Sequence, residues 1–97
     1  MSRKEVIERL QRNAAIKGMG ATSLYLFGSA ARDDAQRDSD LDLFIDYDPA
    51  RRFSLIDMVG IKQFLEEKMS TEIDITTRDS LHPMLKAEIE QSAVRVF

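Results

Sequence analysis

The sequence predicts a small α/β (α+β) domain, a mixed β-sheet flanked by helices. Three observations lead there. Asp40 to Asp46 and Thr71 to Thr76 alternate apolar and polar residues at strand spacing. Ser23 to Phe27 is short and nearly all apolar, as in a strand buried on both faces. Segments with apolar residues at helical spacing surround these three, so helices and strands interleave as in helices packed over a sheet.

In chain order, Ser2 with Glu5 reads as a capping box that opens a helix carrying Val6, Leu10 and Ala14 and closing at Gly18 and Gly20. Gly28-Ser29 ends the apolar strand, Ala30 to Gln36 forms a short helix, and Asp38-Ser39 is a turn. The strand Asp40 to Asp46 presents Leu41, Leu43 and Ile45 on one face and Asp40, Asp42, Phe44 and Asp46 on the other. Asp48-Pro49 closes it. The longest helix runs from Phe53 to Met69, with Ser54 near its start. Its apolar residues form a broad face of Leu55, Met58, Val59, Ile61, Leu65 and Met69, with Phe53 and Phe64 nearly opposite and Ile56 nearer to them. In Thr71 to Thr76, Ile73 and Ile75 oppose Glu72, Asp74 and Thr76. Pro83 suits the first turn of a last helix with Leu85 and Ile89, and Val94 to Phe97 reads as an edge strand.

A length of 97 residues suits one domain, spanning 1–97. Hydrophobic residues make up 43% and charged residues 32%, the balance of a folded domain and not of a disordered chain. With no cysteine, disulfides and thiolate metal sites are excluded, which agrees with a reducing cytoplasm. No signal-peptide block and no apolar run of membrane-spanning length occurs, so the expectation is a cytoplasmic protein without a membrane. A net charge of −3 disfavours a broad nucleic-acid-binding field but leaves room for a small phosphate site.

The chemistry lies in carboxylates. Asp40 and Asp42 are two apart on a strand and so point the same way. Like charges held together are tolerated when a cation sits between them. Asp74 stands on the polar side of another strand, and if the strands are neighbours the three acids converge. Oxygen ligands of this kind suit Mg²⁺, and two such ions clamp the attacking and leaving oxygens of a phosphoryl displacement. Taken alone, Asp-x-Asp is more often a solvated strand face, and Gly28-Ser29 alone an ordinary turn with Ser29 as N-cap. Glycine also permits close approach to a phosphate, and the following N–H groups can hold one.

Together, Gly28-Ser29-Ala30-Ala31-Arg32 followed by Ser39-Asp40-Leu41-Asp42-Leu43 closely resembles the motif of the DNA polymerase beta-like nucleotidyltransferase superfamily. The short length, Asp48-Pro49, the long helix and Glu72-Ile73-Asp74-Ile75 look like its minimal nucleotidyltransferase (MNT) branch. The resemblance runs from about Ser23 to the C-terminus. It implies that Asp40, Asp42 and Asp74 are catalytic and hold Mg²⁺, with two ions, and that Asp74 helps deprotonate the acceptor hydroxyl. It assigns nucleotide binding to Gly28, Ser29, Arg32 and Ser39, with ATP as substrate. Arg32 contacts phosphate or pairs with Asp33 or Asp38. Arg51, Arg52, Lys62 and Arg78 are candidate substrate contacts for which solvated surface is the plainer role. His82, the one histidine, reads as helix-start surface.

Larger members of the superfamily carry extra domains that select the acceptor, and 97 residues leave no room for one. The acceptor is then expected on a partner or another subunit. The second apolar side of the long helix is expected to lie under the terminal helix or to meet such a partner. Relatives of this type resemble the antitoxins of HEPN/MNT toxin–antitoxin pairs, which implies adenylylation of a tyrosine on a HEPN toxin. The alternatives are transfer to a small molecule such as an aminoglycoside with a separate binding subunit, and a non-enzymatic partner-binding antitoxin.

Overall fold

A computed structural model describes residues 2–32 and 40–97. Helix α1 (Arg3–Arg12) opens at Ser2, whose Oγ accepts the Glu5 N–H at 3.2 Å, the N-cap half of the expected capping box. It buries Val6 and Leu10, then stops at Asn13 and tightens into a 3₁₀ helix (Ala14–Met19) that ends at left-handed Gly20. The single helix expected here is therefore two. The tighter winding turns Ile16 into the core and leaves Ala14 only half-buried.

Among the described residues four strands form one mixed sheet in the order β3-β2-β1-β4: β1 Ala21–Phe27, β2 Leu41–Tyr47, β3 Ile73–Thr77 and β4 Val94–Arg95. β1 is antiparallel to β2 and β4, and β2 is parallel to β3. The sequence reading of three strands, an edge strand and interleaved helices thus holds. β1 differs from expectation in its burial. Leu24 and Leu26 are buried, whereas Tyr25 and Phe27 on the opposite face are only partly covered. β2 differs the other way, because Phe44, on the acidic face, is as fully buried as Leu43 and Ile45. Its ring stacks on Tyr25 at 4.7 Å and lies 5.8 Å from Phe27, so three aromatics cover the middle of that face.

The core sits on the other face, where Leu24, Leu26, Leu43 and Ile45 meet α1, the 3₁₀ helix and helix α2 (Leu55–Met69). Each such side chain contributes roughly 1.5–3 kcal/mol when removed from water. α2 starts at a complete capping box, Ser54 with Asp57, one residue after Phe53. Its inward stripe is centred near Leu65 and takes in Met58, Ile61 and Met69, with Phe53 and Phe64 packed beside it. The broad face expected from the sequence is therefore rotated. Leu55 and Val59 lie at the margin of the stripe and Ile56 on its far side, and all three are exposed, Ile56 by 82%. The terminal helix does not cover them. Helix α3 (Lys86–Ser92) buries no residue and follows a turn that starts at His82 and Pro83. Among the described residues no helix is long and apolar enough to cross a membrane.

Candidate active site

Strand register places the acids. Asp42 of β2 is the direct partner of Asp74 of β3, and partners in register project from the same face. On its other side Asp42 is paired with Phe27, the last residue of β1, so Gly28 comes next to it. One row therefore crosses this end of the sheet, Phe27, Asp42 and Asp74, and Gly28 sits against the Asp42 carboxylate at its β1 end. Asp40 precedes β2 by one residue. The Leu41 N–H donates to the Glu72 carbonyl at 3.2 Å, which ties the start of β2 to the start of β3.

Gly28 is required here by two independent facts. Its φ is +73°, a left-handed value that other residues adopt at a cost of roughly 1–2 kcal/mol. A Cβ at this position would also be driven into the Asp42 carboxylate. After Gly28 the chain curls into a turn in which the Arg32 N–H donates to the Gly28 carbonyl at 3.3 Å. Buried Ala30 and Ala31 seat that turn, and Arg3 Nη1 holds the Ala31 carbonyl at 3.1 Å. Ser29 is half-buried within it. The turn thus presses its first backbone atoms against Asp42. Ser39 and most of the short helix expected over Ala30 to Gln36 lie outside the described residues.

Asp42 is half-buried, and burial pushes its carboxyl above the usual range, with the charges of Asp74 and Asp40 adding to the rise. Asp40 and Asp74 are exposed. Among the described residues no three carboxylates form a ready-made metal cage. What the register does supply is two aspartates side by side and a third at the strand entrance, open to solvent. That donor set fits Mg²⁺, which takes few protein carboxylates, keeps waters and shares phosphate oxygens.

The far end of the same face is built differently, and the sequence reading missed it. Arg78 is neither the solvated surface nor the substrate contact expected of it but a staple. Its Nε and Nη2 donate to the two Asp46 carboxylate oxygens at 2.7 and 3.0 Å, and Nη1 donates to Glu90 of α3 at 2.7 Å. Its guanidinium lies 4.8 Å from the Tyr25 ring and 5.0 Å from Phe44. The hydrogen bonds to Asp46 push its pKa up further. A signal existed in the sequence: alternation puts Tyr25, Phe27 and Phe44 on the acids' face, and a guanidinium is suited to cover such rings. His82 accepts the Met84 N–H on Nδ1 at 3.1 Å, in keeping with a helix-start role. Arg51 and Arg52 line a separate cleft with Gly18 and Asp57. Lys62 lines an open cleft of about 340 Å³ with Asp40, Glu66, Glu72, Ile73 and Asp74.

Comparison with known proteins bears on the family and the fold. The family model described as "Nucleotidyltransferase domain" matches residues 3–96. A relative from Methanocaldococcus jannaschii that bears the name protein adenylyltransferase is 38% identical over 78 residues, 80% of this chain and 82% of that protein. A solved minimal nucleotidyltransferase structure superposes with a TM-score of 0.80 at 29% identity, covering 97% of this chain and 95% of the other. A chain from the complex of a tri-AMPylated Shewanella oneidensis HEPN toxin with its MNT antitoxin superposes with a TM-score of 0.60 at 18% identity. That match covers 98% of this chain and 68% of the other, and at such identity the likeness is one of fold.

Proposed function

The chain belongs to the nucleotidyltransferase domain family, and from that premise we propose that it transfers AMP from ATP to a hydroxyl of a partner protein, a tyrosine of a HEPN-type toxin, and so acts as its antitoxin. The observation that carries the reading is the juxtaposition of Gly28, Asp42 and Asp74: strand register pairs Asp42 with Asp74, and the Gly28 backbone lies against the Asp42 carboxylate. The name of the M. jannaschii relative supports protein adenylylation, and the HEPN–MNT complex supports the class of partner. The exposed apolar residues Leu55, Ile56 and Val59 on α2 favour a protein acceptor over a small molecule, since clustered exposed apolar side chains mark contact surfaces.

In this reading Gly28 and Ser29 hold the triphosphate, joined by Arg32 and Ser39. Asp40, Asp42 and Asp74 hold Mg²⁺, as two ions. Bound magnesium would supply the positive charge that a phosphoryl displacement needs. Asp42, half-buried beside Gly28, positions the α-phosphate end of the nucleotide. Asp74, exposed at the other end of the row, takes the proton of the acceptor hydroxyl. The hydroxyl oxygen bonds to the α-phosphorus, the bond from that phosphorus to the bridging oxygen breaks, and pyrophosphate leaves with the electron pair.

The test incubates the chain with Mg²⁺, ATP and the product of its neighbouring gene, followed by intact masses of both proteins. A gain of adenylyl units on the neighbour, absent with Asp42→Asn, supports transfer. Silencing of the neighbour with no mass change, and equally by Asp42→Asn, would establish a non-enzymatic binder instead.

A further inference from the structure

The order of groups across the sheet end assigns a direction to the reaction, and among the described residues the cation Lys62 lies on the side it defines. The triphosphate belongs beside Gly28 and Ser29, at the β1 end of the row. In an in-line displacement the attacking oxygen comes from the side opposite the leaving pyrophosphate. The acceptor therefore arrives beyond Asp74, on the side of β3 and α2. There the cleft of about 340 Å³ is lined by Asp40, Lys62, Glu66, Glu72, Ile73 and Asp74, and no residue of the Gly28–Arg32 turn reaches it.

Lys62 stands out within this cleft. It projects from α2 among four carboxylates, yet among the described residues its ammonium forms no ion pair. Glu66, one helical turn on and the natural i+4 partner, is committed elsewhere: its Oε2 accepts the Ile73 N–H at 3.0 Å. Glu66 thus anchors the start of β3, and Lys62 is left available. The chemistry calls for a cation at this place. An acceptor hydroxyl must gain negative charge as it loses its proton, and the surrounding carboxylates oppose that charge.

We propose that Lys62 is a catalytic residue of the acceptor side, its ammonium holding the acceptor oxygen while that oxygen gives its proton to Asp74 and attacks the α-phosphorus. The proposal rests on the transfer reading above. The proton goes to Asp74, the new bond joins the acceptor oxygen to phosphorus, and the electron pair of the broken bond leaves with pyrophosphate, so Lys62 neither gains nor loses a proton. It is exposed on its helix, so its replacement leaves the core untouched.

The experiment measures pyrophosphate release from Mg·ATP by the full chain, with water as acceptor and again with the product of the neighbouring gene, the latter from about pH 6 to 10, whose upper end reaches the ionisation of a tyrosine hydroxyl. Lys62→Met is expected to lower kcat about 100-fold, the size of losing one charge-stabilising donor. The KM for ATP should hold within about twofold, since uniform binding is untouched. The rate should also reach its plateau at higher pH, because the hydroxyl ionises less readily without a neighbouring cation. Lys62→Arg should recover most of the rate. An unchanged kcat and pH profile in Lys62→Met would overturn the proposal. So would a raised KM with kcat kept, which would put Lys62 on the triphosphate. If wild type and Asp42→Asn release pyrophosphate equally, the transfer reading itself fails and Lys62 falls with it. If wild type is active, Asp42→Asn is dead and Lys62→Met matches wild type, only the Lys62 assignment is lost.

Discussion

Asp42 and Asp46 lie four residues apart on the same face of β2, and they meet opposite surroundings. Asp46 is half-buried against Arg78, which forks onto both of its oxygens and carries the link on to Glu90 and the aromatic stack. Asp42 is half-buried against another carboxylate, Asp74, and against the backbone of Gly28. At the Asp46 end the protein completes its own electrostatics. At the Asp42 end it concentrates negative charge, with burial, Asp74 and Asp40 all pushing the Asp42 carboxyl upward. Residue type, strand and face are the same, so cross-strand neighbours alone distinguish a structural aspartate from a candidate catalytic one. A group whose own fold disfavours its charge is the kind that a cation or substrate completes.

The largest effect should come from Asp42→Asn, which removes the charge and keeps the shape. Transfer of labelled AMP is expected to fall on the order of a thousandfold, the upper range for loss of one electrostatic group. The melting temperature should hold or rise, because a repelled carboxylate is gone. Marked destabilisation with activity retained would make Asp42 resemble Asp46 and erase the contrast.

Gly28→Ala sharpens the same end from the other strand. The left-handed backbone and the collision with the Asp42 carboxylate should together displace the turn, with a loss of about 100-fold in transfer for a shift near 1 Å. Stability should fall by roughly 1–2 kcal/mol. Urea unfolding alongside a transfer assay reads both, and wild-type activity in this variant would detach the turn from the site.

Arg78→Met addresses the structural end. It leaves Asp46 and Glu90 without their partner and uncovers Tyr25 and Phe44, so a loss of about 1–3 kcal/mol is expected in chemical denaturation. Transfer by the folded fraction should stay within a few-fold of wild type. A loss of rate as deep as that of Asp42→Asn, with stability intact, would move Arg78 into the reaction.

The smallest effect is in pH. The folded state raises the Asp42 pKa, so it binds that proton more tightly than the unfolded chain does. The penalty for ionising Asp42 is absent below the ordinary carboxylate range, grows as pH rises across it, and is complete above the raised value. In metal-free buffer, wild-type stability relative to Asp42→Asn should therefore decline as pH rises through and above the ordinary carboxylate range. Added Mg²⁺ should reverse the decline. Melting curves of the two proteins in parallel would show it, and a constant difference across the range would mean that Asp42 carries no such penalty.

Much of this was open to reading from the residues. Alternation in Asp40 to Asp46 and Thr71 to Thr76 located two strands, Ser54 marked the start of the long helix, and glycine before serine after an apolar strand marked the turn. The side-chain period of a strand is two and the cap of a helix is local, so a few neighbouring residues settle each. The chemistry of the acids was legible for the same reason, since two aspartates two apart on one strand must share a face. The partners of those residues were not legible. That β2 and β3 lie side by side, the condition on which the meeting of Asp42 with Asp74 hung, that Phe44 is buried on an acidic face, that Arg78 closes on Asp46, and that α2 turns Leu55 and Ile56 outward all depend on contacts between segments distant in the chain. Register between separate strands and the rotation of a helix over a sheet are chosen by the packing of the whole core, and a local pattern carries no record of that choice.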